Sequence, residues 1–191
     1  MTKVPGNKLY ILLLFCLMLG IKPLKGQVLG FEVVQDADVG FLFNSIQNYQ
    51  TGLVAMNAIT LRITAEDVSW DFYVGAETDI PGLWDVVTVY AGSGDEPEVE
   101  LLELRFRNTA NTSLVDGFFE LTDISDPTYI IGSAANDPEI TCPNQGTNTP
   151  GSYLTQPECY QFRVDMRIVP GFNLRPGLYR IHVKYVLIEN L

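Results

Sequence analysis

The sequence has little of what most catalytic and nucleic-acid-binding proteins use. Among its 191 residues there is one His, His182, and there are three Cys and 12 Lys or Arg, against 23 Asp or Glu. A formal charge of −11 argues against nucleic-acid binding, because that function needs a basic surface that displaces counterions from phosphates. The chain is nevertheless 47% hydrophobic and only 18% charged, which excludes a disordered protein. We therefore expect a folded, acidic protein.

The first 26 residues have the pattern of a secretory signal peptide. Lys3 and Lys8 precede an apolar run over residues 9–21, which is too short to cross a bilayer core of about 30 Å comfortably. We expect a signal peptide over residues 1–26, and an uncleaved N-terminal anchor is the alternative. No other apolar run is long enough to span a membrane. The sequence thus predicts an exported protein of the periplasm, the cell surface or the extracellular space, without a further membrane span.

The predicted mature chain, residues 27–191, fits one domain with a sizeable core. It keeps eight basic and 23 acidic residues, a formal charge of −15. Its two cysteines, Cys142 and Cys159, are predicted to form a disulfide, since an isolated pair in an exported chain is most simply a bridge. Such a bridge contributes on the order of 3 kcal/mol in the chain-entropy model. A metal site is disfavoured because His182 is distant in sequence from both cysteines.

Alternation of apolar and polar residues dominates the mature chain and indicates half-buried strands. No stretch shows a convincing helical period, and one short helix is the alternative for the strand candidate 99–106. Nine or ten short strands with frequent turns predict an antiparallel β-sandwich, with a jelly roll or small barrel as the alternative. The segments that carry the pattern are 28–34, 39–43, 59–63, 70–74, 86–90, 99–106, 117–121, 129–131, 160–168 and 179–188.

The residues with catalytic potential are few. His182 is predicted to lie on the polar, solvent-facing side of a strand, and no nucleophile is placed beside it by the pattern. Paired carboxylates of a glycoside hydrolase are a remaining alternative, although the acids cluster in turn-like places. We expect no cofactor. Calcium is an open alternative at the acidic loops Asp36–Asp38, Asp95–Glu96 and Asn136–Glu139, none of which has EF-hand spacing.

Two aromatic residues are candidates for a sugar-binding platform. Trp84 follows Pro81 and Gly82 in a predicted loop, and Tyr90 ends the next strand. Exposed aromatic rings can stack on sugar rings. Trp70, by contrast, shares a strand face with Phe72 and is expected in the core. Trp84 and Tyr90 therefore form the basis of an alternative function as a carbohydrate-binding module.

The C-terminal segment resembles the closing strand of secreted pilin-like sandwiches. Leu174, Pro176, Gly177 and Tyr179, followed by alternating apolar residues to Tyr185, are similar to the closing hairpin and strand of the spore-coat-U and related chaperone–usher families. The succession of strands 59–63 and 70–74 also resembles small exported proteins of the Bacteroidetes type. The resemblance implies an immunoglobulin-like sandwich that joins a surface structure by strand addition.

These observations together predict a non-catalytic, exported β-sandwich in cell-surface structure or adhesion. Its partner would be another protein or a second copy of itself, bound through sheet edges, or else a glycan. The segment 27–39 at the predicted mature N-terminus is the candidate for pairing with a neighbour. The alternative is that this segment forms the first strand of the chain's own sheet.

Overall fold

The computed structural model describes residues 26–35, 38–110, 114–115, 117–132 and 148–190. Within these residues strands are the dominant regular structure. The eleven strands there, in chain order, are β1 (Val28–Val33), β2 (Leu53–Glu66), β3 (Trp70–Glu77), β4 (Asp85–Val89), β5 (Leu102–Asn108), β6 (Phe119–Glu120), β7 (Thr128–Ile131), β8 (Gly151–Ser152), β9 (Gln161–Ile168), β10 (Gly177–Arg180) and β11 (His182–Glu189).

Short helices occupy three connections, and one of them falls in segment 99–106, for which one short helix is the alternative to a strand. They are α1 (Ile46–Thr51), α2 (Pro157–Tyr160) and a 3₁₀ turn at Val99–Leu101. Ser45 caps the N-terminus of α1, and its hydroxyl accepts a hydrogen bond from the Asn48 amide at 3.2 Å. At 3.6 residues per turn, helices of four to six residues are too short to show a hydrophobic period.

Three antiparallel groups of strands build the domain. The large sheet has the order β1-β2-β9-β5-β6, with β8 also paired to β2. The small sheet has the order β11-β3-β7, and β4 pairs with β10 in a separate two-stranded ribbon. Every strand pairing within the three groups is antiparallel. Among the described residues, β1 and β6 are the edges of the large sheet.

The core lies between the large and the small sheet. Alternate residues of each strand point inward, as the period of two requires, and Trp70, Phe72 and Val74 of β3 are fully buried. The Phe72 ring lies 5.8 Å from the Phe106 ring of the facing β5 and 5.9 Å from the Phe31 ring of β1. These contacts across the interior join the two sheets into a sandwich.

The predicted all-β antiparallel sandwich is confirmed, with differences in individual strands. Segment 39–43 forms no strand and instead packs Val39, Phe41 and Phe43 against the core. The predicted closing strand is divided at Ile181, so that β10 pairs with β4 and β11 pairs with β3. The alternation of apolar and polar residues continues through this break, because it depends on which face of the strand is buried. It does not depend on which neighbouring strand forms the hydrogen bonds.

No helix among the described residues is long and apolar enough to cross a membrane. The predicted signal peptide and Cys142 lie outside the described residues. Cys159 ends up in α2, where it is buried against the core. The pairing of Cys142 with Cys159 stays a prediction.

Candidate interaction surfaces

The edge strand β1 presents unpaired backbone groups on its outer side. The register with β2 pairs Phe31 with Ile63, and the Val34 amide donates to the Thr60 carbonyl at 2.9 Å. In an antiparallel ladder the hydrogen-bonding direction alternates from residue to residue. The even-numbered residues of β1 therefore bond to β2, while Leu29, Phe31 and Val33 direct their N–H and C=O groups outward. No described strand pairs with that outer edge.

The side chains of β1 are apolar and partly exposed. Val28 is 46%, Phe31 36% and Val33 41% exposed. The single charged residue of the strand, Glu32, forms an ion pair with Arg62 of β2 at 3.5 Å. The only charge on β1 is thus turned toward its own sheet rather than toward an approaching strand.

The other free edges in the described part of the chain are shorter or carry charged side chains. The β6 strand has two residues and β7 has four. The β11 edge of the small sheet carries His182 and Lys184. Natural sheets protect their edges with short strands and with Lys in particular, and β1 has neither protection.

A cluster of charges lies on the outer face of the large sheet around Asp165, which is completely buried. Arg107 donates to both carboxylate oxygens at 2.7 Å, and Arg105 donates to one of them through Nε at 3.0 Å and through a terminal nitrogen at 2.8 Å. The amide of Asn57 donates to the same carboxylate at 2.8 Å. Asn57 has a φ of 51° and sits in a bulge of β2 that lies opposite Asp165.

The cluster stabilises the ionised form of Asp165. Burial raises the pKa of the carboxyl group, but the hydrogen bonds from Arg107, the Asn57 amide and Arg105 together outweigh burial and hold the pKa below its usual range. The hydrogen bond to Asp165 likewise raises the pKa of Arg107. Such a fully paired carboxylate has no free oxygen to act as an acid or base, and we interpret the cluster as a fixed structural element.

The same face continues into an arginine–aromatic stack beside Phe118. The guanidinium carbons of Arg105 and Arg167 lie 4.5 and 4.4 Å from the centre of its ring. Arg167 also pairs with Glu103 of β5. Cation–π contacts of this kind hold the long side chains flat against the sheet. The outer face of the large sheet therefore carries ordered arginines, and Asp165 and Glu103 on the same face pair with three of them.

The structure does not bring Trp84 and Tyr90 together. Trp84 is half-buried, packs against the core and donates its indole N–H to the Glu98 carbonyl at 2.9 Å. Tyr90 is 56% exposed and lies at the far end of β4. At about 3.3 Å per residue the extended strand separates their backbones by roughly 20 Å. A flat platform of both rings would need a ligand several sugar units long.

His182 and the acidic residues line two shallow clefts. One cleft, of about 470 Å³, contains exposed His182 beside Arg180, Glu77 and Asp85. The other, of about 380 Å³, is lined mainly by acidic side chains: Asp95, Glu96, Glu98, Glu100, Glu103 and Glu120. Among the described residues no three His, Cys, Asp or Glu side chains are placed to hold a metal ion. Of the other calcium candidates, Asp36 and the 136–139 segment lie outside the described residues.

Comparison with known proteins gives no family for this chain. No family model matches it, and no curated protein matches it significantly. The resemblance to pilin-like sandwiches therefore stays a prediction. The structure adds the Asp165 cluster, which the alternation pattern did not single out, since Asp165 occupies a polar position between Arg163 and Arg167 that is typical of a solvent-facing residue.

Proposed function

We propose that this protein is a non-catalytic, exported β-sandwich that takes part in cell-surface structure or adhesion. The observation that carries the proposal is the outer edge of β1, where Leu29, Phe31 and Val33 offer backbone hydrogen bonds beside exposed apolar side chains. Strand addition uses this combination: main-chain bonds give affinity, and alternate side chains give specificity.

The charge distribution supports a role at sheet edges over a role in a cleft. The two clefts are open and lined mostly by charged residues, whereas ligand pockets are usually enclosed and largely apolar. The Asp165 carboxylate, the most deeply buried acid in the described part of the chain, is held by two arginines. The β1 edge is thus the surface with the chemistry of a protein-binding site.

The proposal is tested by location and by binding to envelopes. Immunolabelling of intact producing cells should detect the protein at the surface, and purified protein should co-sediment with isolated cell envelopes. Val33→Lys places a charge on the β1 edge and should reduce the bound fraction several-fold. Val87→Lys is the matched control, because Val87 is a similarly exposed strand valine, 46% against 41%, in the separate β4–β10 ribbon.

Two results would contradict the proposal. One is a protein confined to the interior of the producing cells. The other is an envelope-bound fraction that stays at background for the wild-type protein. Equal loss in Val33→Lys and Val87→Lys would show that added positive charge, rather than the β1 edge, controls binding.

Glycan binding is the second candidate function, and one observation favours it. Tyr90 is 56% exposed beside a ribbon whose Leu178 is also exposed, so an apolar surface with a phenol is available to a sugar ring. A glycan array should then show binding that Tyr90→Ala abolishes. Phe172→Ala, which removes an exposed aromatic ring elsewhere, is the control. An array without binding removes this candidate.

A further inference from the structure

We propose that the partner of the β1 edge is a second copy of this chain, joined by antiparallel β1–β1 pairing about a twofold axis. This inference rests on the proposed function and specifies its partner. The pairing would join two large sheets, each ordered β1-β2-β9-β5-β6, into one continuous sheet. A twofold interface requires a surface that is complementary to itself, and β1 has this property in its backbone, its side chains and its charge.

The backbone of β1 matches itself when the axis passes through Phe31. Leu29, Phe31 and Val33 point their N–H and C=O groups outward, as the bond from the Val34 amide to Thr60 establishes. An antiparallel copy centred on Phe31 places Leu29 opposite Val33 of the second copy and Phe31 opposite its equivalent. All three outward-pointing residues are then in hydrogen-bonded pairs. A shift of the centre by two residues moves one end of the pairing beyond the strand.

The side chains on both faces are compatible with this register. On the inner face, Phe31 already packs on Phe72 at 5.9 Å between ring centres, so two Phe31 rings at the axis would extend the two cores toward each other. On the outer face, Glu32 comes opposite Gly30 of the second copy, and Val28 comes opposite Val34. The two Glu32 residues are therefore diagonal rather than directly opposite, and each carboxylate keeps Arg62 of its own sheet as its counter-charge.

Two features that normally prevent such pairing, Lys and Pro, are missing from β1. The strand contains no Lys, Arg or Pro, and its apolar side chains remain exposed at Val28, Phe31, Val33 and the following Val34. Lys and Pro are the usual means of blocking edge-to-edge association. An exposed, six-residue apolar edge is stabilised when an identical strand covers it.

The first experiment measures the mass of the purified protein over a range of concentrations by analytical ultracentrifugation. The wild-type protein should show a reversible monomer–dimer equilibrium. Val33→Lys and Val33→Pro should each raise the dimer dissociation constant by at least about tenfold, equivalent to about 1.4 kcal/mol. Proline is informative here because the Val33 N–H points outward, so its loss does not break the ladder to β2. Val87→Lys should dimerise like the wild-type protein.

A second experiment tests the register. Phe31→Cys places two thiols opposite each other at the axis, where Cα atoms of a hydrogen-bonded antiparallel pair lie about 5.5 Å apart, within disulfide range. Mild oxidation should give a covalent dimer. Val87→Cys, on the β4–β10 ribbon, should give none. Circular dichroism and thermal unfolding of each variant establish that it is folded before its mass is interpreted.

The possible outcomes separate this inference from the proposed function. A wild-type protein that is monomeric at every concentration, or a dimer unaffected by both Val33 variants, overturns the inference. A folded monomer that still binds envelopes overturns the inference and leaves the proposed function in place. A β1-dependent dimer that is absent from the cell surface supports the inference and overturns the proposed function.

Discussion

At the scale of single residues, Asp165 shows how a buried charge is accommodated in an otherwise apolar sandwich. It is fully buried, yet Arg105 and Arg107 of the neighbouring strand and the Asn57 amide of the β2 bulge satisfy its oxygens. The bulge is required because a regular β2 strand would not turn the Asn57 amide toward the carboxylate. Asn tolerates the positive φ of 51° found there better than most residues.

Asp165→Asn is predicted to destabilise the fold by about 3 kcal/mol, because two arginines would lose their buried counter-charge. Urea unfolding of the variant and the wild-type protein measures the difference. Asp126→Asn, which changes an exposed acid in a turn, is the control and should lie within about 0.5 kcal/mol of the wild type. An Asp165→Asn protein as stable as this control would show that the cluster contributes nothing.

The lowered pKa of Asp165 also fixes a direction for its pH dependence. The contribution of Asp165 to the free energy of unfolding is fully present above the carboxyl pKa of the unfolded chain, about 3.9. This contribution is lost as the pH falls below that value. The difference between the wild-type protein and Asp165→Asn should therefore shrink in acid.

Tyr185 differs from Asp165 because its buried polar group is not balanced by hydrogen bonds from the described residues. Its ring stacks on Phe72 and meets the edge of Phe106, but its hydroxyl has no hydrogen-bond partner among the described residues. Burial raises the pKa of this hydroxyl. The aromatic contacts stabilise the ring, while the buried hydroxyl opposes them.

Tyr185→Phe is predicted to be as stable as the wild-type protein at neutral pH, or up to about 1 kcal/mol more stable. Because the pKa of Tyr185 is raised in the folded protein, its effect on the free energy of unfolding is constant below the unfolded tyrosine pKa of about 10. Above that pH the unfolded chain loses the proton that the folded protein keeps, so the free energy of unfolding falls. Unfolding curves between neutral and strongly alkaline pH should thus fall less steeply for Tyr185→Phe. Tyr90→Phe is the exposed control, and a similar slope in all three proteins would contradict the assignment.

At the scale of elements, glycine lets the loop before β7 lie directly against β3 of the small sheet. Ala76 of β3 exchanges backbone bonds with this loop, donating to Thr122 at 2.7 Å and accepting from the Ile124 amide at 2.8 Å. A Cβ atom at the neighbouring Gly75 would lie 2.6 Å from the Cα of Ile124. The close approach therefore depends on a residue without a side chain.

Gly75→Ala is predicted to cost about 2–3 kcal/mol, because backbone must move to relieve the contact. Gly30→Ala is the matched control: it also lies in a strand, but its nearest contact would be an ordinary 3.7 Å. Thermal unfolding of both variants gives the comparison. Equal melting temperatures would mean that the loop retreats from β3 at no cost.

Comparison of these elements shows what the sequence could predict. Alternation correctly placed Trp70 and Phe72 in the core, because burial on one face is a local, period-two signal. It could not reveal that Asp165 is buried, since its partners Arg107 and Asn57 are 58 and 108 residues away in the chain. It also could not show that β1 is an edge strand, because strand order depends on non-local pairing.

At the scale of the whole molecule, the charges are unevenly distributed. Of the eight basic residues in 27–191, five lie on the outer face of the large sheet: Arg62, Arg105, Arg107, Arg163 and Arg167. The formal charge of −15 over this part of the chain opposes the approach of a second copy. On this face the arginines are matched by acids that include Glu32, Glu103 and Asp165, so the surface next to β1, where Arg62 pairs with Glu32, adds little to that repulsion.

The β1–β1 dimer is therefore predicted to tighten when the salt concentration rises. Salt screens long-range repulsion between two acidic molecules, while backbone hydrogen bonds and apolar contacts at the edge change little. Ultracentrifugation at low and at moderate ionic strength measures the effect on the dissociation constant. A dimer that weakens with salt would instead be held by charge complementarity, and the pairing through β1 would have to be abandoned.

The N-terminal segment contributes to both the fold and the proposed interface. For that reason deletion of the segment and a point substitution on its edge should have different effects on stability. Phe31 packs on Phe72, and β1 covers the side of β2 from Leu61 to Glu66. Removing residues 27–39 would expose this β2 edge and part of the core, so we expect the deletion variant to be unfolded or several kcal/mol less stable. Val33→Lys, which keeps every bond to β2, should stay folded and lose only association. Chemical unfolding combined with mass measurement distinguishes the two, and a deletion variant that is folded, stable and monomeric would show that β1 is dispensable for the sandwich and serves association alone.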